Sequence, residues 1–278
     1  MFQWTNGTIM DGNLYYYFNF RKKRLKNLGD SSLKPTLVFL HGYMDGGIGW
    51  DRVARNFITD YDIIMPDARG HGKSVDAPQN YNYDIYLEDL FKILTARHIS
   101  KVILIAHSMG GVGASLFAAK YPDMVTKIVI EDPAFKASLV TKFLFRSLQF
   151  LLLFKKVRQT PRPDWVYRVL IRLYNYKWNE DDMIPLIQAL KGYDLHSSSK
   201  SIKILLTAPD FNIIFPMISC PVLLLTSSWG ISPKRKIRKI LPQFPLIQWK
   251  HIRKGSHSIR RDQYSQYLAS VHHFLAED

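Results

Sequence analysis

Cysteine is nearly absent. Cys220 is the only one in 278 residues, which excludes an internal disulfide framework and a cysteine-rich metal site. That absence fits a reducing compartment, and a cytoplasmic location is the expectation. The first residues show no basic start followed by an apolar stretch, so no signal peptide is expected. Long hydrophobic runs are also missing. The greasiest, residues 143–154, is too short to span a bilayer and contains Arg146 and Gln149, so it reads as a buried or interfacial helix. No cluster of metal ligands has usable spacing and no Gly-rich dinucleotide fingerprint occurs, so neither metal nor cofactor is implied. Acidic residues are the last shortage: residues 211–261 contain no Asp or Glu at all.

What is abundant is positive charge, with a net of +15. Residues 232–261 hold ten Lys or Arg, and residues 136–215 carry a net of +7. Such a surface attracts nucleic acid, anionic lipid or acidic substrates. No nucleic-acid motif or stacking platform accompanies the charge, so no nucleic-acid partner is expected. The basic residues read as a solvated surface, with at most a peripheral attraction to anionic membranes. A hydrophobic content of 47% excludes disorder, and the length suits one large core, or a core with a smaller inserted domain.

The chain is organised around Ile103-Leu-Ile-Ala-His-Ser-Met-Gly-Gly111. Residues 101–106 read as a strand buried on both faces, because the run 102–106 is continuously apolar. Gly110, Gly111 and Gly113 open a segment, 112–120, that reads as a helix ending at Tyr121-Pro122. A serine on the turn between such a strand and helix is forced out above the sheet edge. Its neighbours at two removes must be tiny, because the two backbones nearly touch. Ala106 and Gly110 meet that demand and make Ala-x-Ser-x-Gly, a variant of the nucleophile elbow with Ser108 at its tip.

Upstream, residues 2–20 alternate and carry Asn6-Gly7 and Asp11-Gly12, so a β-hairpin is expected. Buried strands are expected over 36–40 and 61–65, a short helix over 51–57, and a helix over 83–98 with one apolar face. A further strand spans 126–130. At Pro133 this rhythm breaks, and residues 136–215 read as helices only, with starts suggested by Pro163 and by Glu180-Asp181-Asp182. Strands resume over 220–225 and near 246–249, and a helix over about 260–275 closes the chain. The expected fold is α/β: a mostly parallel, doubly wound sheet built from residues 1–135 and 216–278, interrupted by a helical cap over 136–215.

Leu40-His41-Gly42, Asp67-Ala-Arg-Gly-His-Gly-Lys-Ser74, His107-Ser108-Met109-Gly110-Gly111 and Gly255-Ser256-His257 stand in the order of the α/β-hydrolase superfamily. The chain resembles its capped, esterase-like serine hydrolases over nearly its whole length outside the cap. That resemblance implies Ser108 as nucleophile and His257, on the loop after the last strand, as its base. His107 is expected to point away from the site, and His41 and His71 to brace loops. Many relatives place the triad acid after the strand at 222–225, a stretch that holds no acid here. The superfamily's other location is the end of the preceding strand, which gives Asp132, with Glu131 as a substitute. Backbone N–H groups of Tyr43 and Met109 would hold the oxyanion.

The resemblance thus implies a serine hydrolase cleaving an apolar carboxylic ester or related small-molecule acyl substrate through an acyl-enzyme. Alternatives on the same triad are carbon–carbon bond hydrolysis or, in a different class, a non-enzymatic small-molecule receptor. Epoxide and haloalkane hydrolases carry an aspartate where Ser108 stands.

Overall fold

Continuously apolar strands have two faces to bury, and the computed structural model covers both. It describes residues 3–10, 12–19, 34–74, 77–135, 163–174, 178–192, 203–205 and 207–277. Eight strands form one sheet: β1 (Thr5–Ile9), β2 (Leu14–Asn19), β3 (Thr36–Leu40), β4 (Asp62–Pro66), β5 (Val102–His107), β6 (Val125–Glu131), β7 (Val222–Ser227) and β8 (Ile247–Ile252). Their order is β1-β2-β4-β3-β5-β6-β7-β8. The β1–β2 and β2–β4 pairs are antiparallel, and from β4 to β8 every neighbouring pair is parallel. The helices are α1 (Asp51–Ala54), α2 (Tyr83–Ala96), α3 (Met109–Lys120), α4 (Asp164–Tyr174), α5 (Glu180–Gly192), α6 (Phe211–Ile214), α7 (Lys234–Ile240), α8 (Ile259–Asp262) and α9 (Tyr264–Ala276).

Period-two geometry sorts the strand residues into two core layers. Val38, Leu40, Leu104, Ile130 and Leu224 share one layer with α2 and α3. Leu37, Phe39, Ile103, Val129 and Leu225 share the other with α1, α8 and α9. Truncating a fully buried residue such as Leu104 to alanine should cost about 2–5 kcal/mol, transfer and cavity terms together. Helix α2 begins where the Asn82 side chain accepts the Ile85 N–H, an N-cap whose own backbone is extended.

The strand order reverses between β3 and β5: the chain passes from β3 to β4 on one side, then crosses to β5 on the other. In an open parallel sheet, a crevice forms beyond the strands' carboxyl ends at such a reversal. His41 leaves β3 there, and Ser108 leaves β5.

Between β6 and β7 the described residues contain helices and no strand. Starts at Asp164 and Glu180 match the positions marked by Pro163 and the acidic turn. Helices α4 and α5 share a small core of Ile171, Trp178, Met183 and Ile187. Helix α5 lies on the turn Gly47–Trp50 and on α1, where Asp182 pairs with Arg52. Residues 136–162, 175–177, 193–202 and 206, including the apolar run at 143–154, lie outside the described residues.

Two expectations about helix ends need correction. Helix α3 starts at Met109 rather than at 112, because Gly110, Gly111 and Gly113 serve close packing rather than a turn. A Cβ on Gly110 would stand 2.5 Å from the Leu40 carbonyl oxygen. The terminal helix is two helices, since Gln263 (φ −127°, ψ 48°) breaks it between α8 and α9.

Candidate active site

Ser108 sits at the β5–α3 junction with φ 53° and ψ −113°, a backbone conformation that non-glycine residues avoid. A strained residue of this kind costs on the order of 1–3 kcal/mol and persists only where its surroundings hold it. Here its N–H donates to the Glu131 carbonyl at 3.0 Å, and its own carbonyl accepts from Val112 and Ala134, each at 3.3 Å. The turn is therefore tied to β6 as well as to its own helix.

His257 reaches the site from the loop between β8 and α8. Its Nε2 lies 2.9 Å from Ser108 Oγ, and its Nδ1 lies 2.7 Å from Asp132 Oδ2. A carboxylate can only accept, so Nδ1 carries the proton and Nε2 presents a lone pair to the serine hydroxyl. Asp132 is fully buried at the end of β6, in a positive-φ turn. Two further N–H groups fix its carboxylate: Ile231 donates to Oδ2 at 2.7 Å and Ser232 to Oδ1 at 3.1 Å. The loop after β7 that lacks an acid thus folds over the acid from β6. A Cβ on Gly230 would stand 2.5 Å from that carboxylate, so the loop's close approach requires glycine.

Glu131 points to the opposite face of β6. Its carboxylate accepts from the Arg260 backbone N–H at 2.8 Å and from Arg260 Nη1 at 2.9 Å. Burial pushes its pKa up, against the opposing pull of Arg260. It is engaged away from His257, whereas Asp132 is not.

The loop after β3 lies against the serine: a Cβ on Gly42 would stand 3.2 Å from the Ser108 Cβ. Tyr43 comes next on that loop, and Met109 is the first residue of α3, so both N–H groups belong to segments adjoining Ser108. His41 braces the loop, its Nε2 accepting from Ala68 N–H at 2.9 Å while Nδ1 donates to Gly42 O at 2.8 Å. His71 bonds Arg69 O, Asp67 accepts from Gly47 and Lys73 N–H, and Arg69 pairs with Asp89. These are loop-holding roles.

His107 does not point clear of the site. Its ring lies 4.6 Å from that of His257, centroid to centroid, and its Nε2–H donates to the His257 carbonyl at 2.9 Å. Burial, then the nearby Arg260, holds its pKa well below the ordinary value, so it stays a neutral brace.

Sequence patterns gave no sign of the charge network beneath the site. Arg260 and Arg261 belong to the basic stretch expected on the surface, yet both are buried. Arg260 bonds Glu131 and, at 2.8 Å, Asp45; Arg261 bonds Asp45 at 2.7 Å. Burial alone would raise the Asp45 pKa, but Arg261 and Arg260 outweigh it and the net direction is down. Asp45 lies two residues past Tyr43, and Arg260 three past His257, so the network joins the loops on either side of Ser108. Asp262 adds a second joint, accepting from the Ser256 N–H at 2.5 Å and from the Trp178 indole N–H at 2.6 Å.

Among the described residues no group of three or more His, Cys, Asp or Glu could hold a metal ion, and no helix is long and apolar enough to cross a membrane.

A family model described as the alpha/beta hydrolase fold matches residues 35–195. Among curated relatives, human Epoxide hydrolase 4 is 38% identical over 100 residues, 35% of this chain and 27% of that protein. The zebrafish (Danio rerio) sn-1-specific diacylglycerol lipase ABHD11 is 38% identical over 106 residues, 37% of this chain and 32% of that protein. The matches thus span about a third of those relatives' length or less. Among solved structures, E-2-(acetamidomethylene)succinate hydrolase superposes with a TM-score of 0.77 at 17% identity, covering 99% of this chain and 100% of that one, a likeness of fold. With the family model spanning more than half of its residues, the chain belongs to the alpha/beta hydrolase fold family.

Proposed function

We propose that this chain is a serine hydrolase that cleaves a carboxylic ester through an acyl-enzyme on Ser108. The observation that carries the reading is the hydrogen-bonded line from Ser108 Oγ through His257 to Asp132. His257 Nε2 takes the hydroxyl proton as Oγ attacks the ester carbonyl. Asp132 holds the imidazole in the required tautomer and stabilises its positive charge. The oxyanion of the tetrahedral intermediate accepts the N–H groups of Tyr43 and Met109. His257 then protonates the departing alcohol. Water repeats the sequence on the acyl-enzyme, releasing the acid and returning the proton to Ser108.

An uncharged, apolar acyl group is the proposed substrate class. Apolar residues throughout 136–215 and the zebrafish relative's name, a lipase for diacylglycerol, support it. The human relative's name favours a second reading, epoxide hydrolysis. Chemistry argues against it: a carboxylate attacking an epoxide yields an ester that water can cleave, whereas Ser108 would yield an ether that this site cannot. The test is turnover of p-nitrophenyl esters of graded acyl length by the parent chain and by Ser108→Ala. A loss on the order of 10⁶ with the fold retained is expected. Activity within tenfold of the parent overturns the assignment.

A further inference from the structure

One flank of the molecule has charge and apolar exposure that the proposed reaction does not use. It begins at Trp229, which is 70% exposed, more than any other large apolar residue described. Its backbone N–H donates to Gly255 O at 3.0 Å, two residues before His257, and the next residue, Gly230, packs on Asp132. The indole therefore stands at the sheet end that carries Ser108. From there α7 exposes Arg235, Lys236, Arg238 and Lys239, and the edge strand β8 with the turn after it exposes Lys250, His251, Arg253 and Lys254.

Almost nothing neutralises the Lys and Arg side chains among these. Among the described residues, Lys236 alone of them forms an ion pair, with Asp210. Burial, then Lys234, Arg253 and Arg238, lowers the pKa of His251, so the cluster repels further positive charge. Exposed apolar side chains border the same flank. Leu246 precedes β8, and Ile213 and Met217 sit on the segment whose Phe215 ring lies 5.8 Å from Phe244.

Unpaired cations call for an anionic partner, and the interspersed apolar tips decide which kind. A nucleic acid would use the cations and one stacking ring, and would leave Ile213, Met217 and Leu246 against phosphate and sugar. The headgroup region of a bilayer accommodates both features, cations on lipid phosphates and carboxylates, Trp and aliphatic tips at the acyl boundary. We propose that this flank docks peripherally on an anionic phospholipid bilayer, with α7 and β8 on the headgroups and Trp229 at the interface. Docking in this way lays the edge of the sheet along the membrane, with Trp229 at its Ser108 end and Leu246 at its opposite end. The binding does not depend on the hydrolytic reading.

The experiment is co-sedimentation of the full chain with phosphatidylcholine vesicles, with and without phosphatidylserine. Binding should require phosphatidylserine and fall steeply from about 0.1 to 0.5 M salt. Each cation near such a surface contributes about fivefold, so the combined Arg238→Gln, Arg253→Gln, Lys254→Gln variant should partition on the order of 100-fold more weakly. Trp229→Ala should remove the part of the binding that survives high salt. Equal binding to phosphatidylcholine alone overturns the proposal, as does a triple variant that folds like the parent and binds unchanged. So does a single-stranded RNA oligonucleotide that binds more tightly than the vesicles and displaces the chain from them. If the triple variant fails to fold, the salt titration of the parent decides, and binding indifferent to salt counts against the proposal.

Discussion

Replacing Asp132 by Asn alters the acid without changing its shape, and the donors around the carboxylate set the cost. Three converge on it: His257 Nδ1–H and Ile231 N–H on Oδ2, and Ser232 N–H on Oδ1. An amide has only one oxygen. Placed at the Oδ2 position it keeps two donors and sets its NH2 against Ser232 N–H, losing one hydrogen bond, or about 0.5–1.5 kcal/mol. In the flipped orientation NH2 faces two donors, and His257 can bond it only by moving its own proton to Nε2. The first orientation is therefore preferred. It keeps the tautomer but loses the charge that stabilises the imidazolium, and the flipped fraction is inactive. The comparable change in a serine protease costs about 10⁴ in turnover, with the wrong tautomer dominant; here a loss of roughly 10²–10⁴ in kcat is expected. Glu131→Gln should stay within about tenfold of the parent, because that side chain faces Arg260 and not His257. The assay is kcat on a p-nitrophenyl ester, with circular dichroism to verify the fold. A crippled, folded Glu131→Gln beside a healthy Asp132→Asn would refute the reasoning.

The same geometry predicts three further outcomes. Arg260→Leu strands Glu131 in the interior at a cost of about 3–5 kcal/mol; thermal unfolding should fall by roughly 6–20 °C, and Arg260→Leu with Glu131→Leu should recover part of it. His71 is held at a pKa of about 3 by burial, so the fold keeps it neutral while the unfolded chain takes up a proton below about 6.5. Stability is thus fully present above that pH and falls as pH drops, by on the order of 3 kcal/mol at about pH 4.5; denaturant titrations should show the slope, and His71→Asn should reduce it. Asp262→Ala frees the Ser256 N–H beside the base, so kcat should drop about tenfold with KM little changed, and Trp178→Phe should lower it less.

Much of the framework was legible from local pattern. The strands expected over 36–40 and 101–106 announce themselves because burial on both faces demands the unbroken apolar runs at 37–40 and 102–106. The elbow was legible because the crossing of strand and helix backbones restricts residue size. The empty acid position after β7 is a plain feature of the sequence, and it left Asp132 and Glu131 as rivals. Choosing between them needed the face of β6 on which each side chain lies. Helix α3 was expected to start late because glycines that pack against Leu40 look, in sequence, like a turn. The network of Asp45, Glu131, Arg260 and Arg261, and the Trp178–Asp262–Ser256 joint, had no local signature. Their partners are as many as 216 residues apart, and a buried arginine looks like a surface one until its carboxylates are placed beside it.

The central claim is a covalent acyl intermediate on Ser108, and the direct measurement is mass spectrometry of chain quenched during ester turnover in 18O-labelled water. The account predicts the acyl mass on the peptide containing Ser108, absent from Ser108→Ala, with no 18O in the Asp132 side chain. An adduct on Asp132 or Glu131, or 18O entering either carboxylate during turnover, would contradict it.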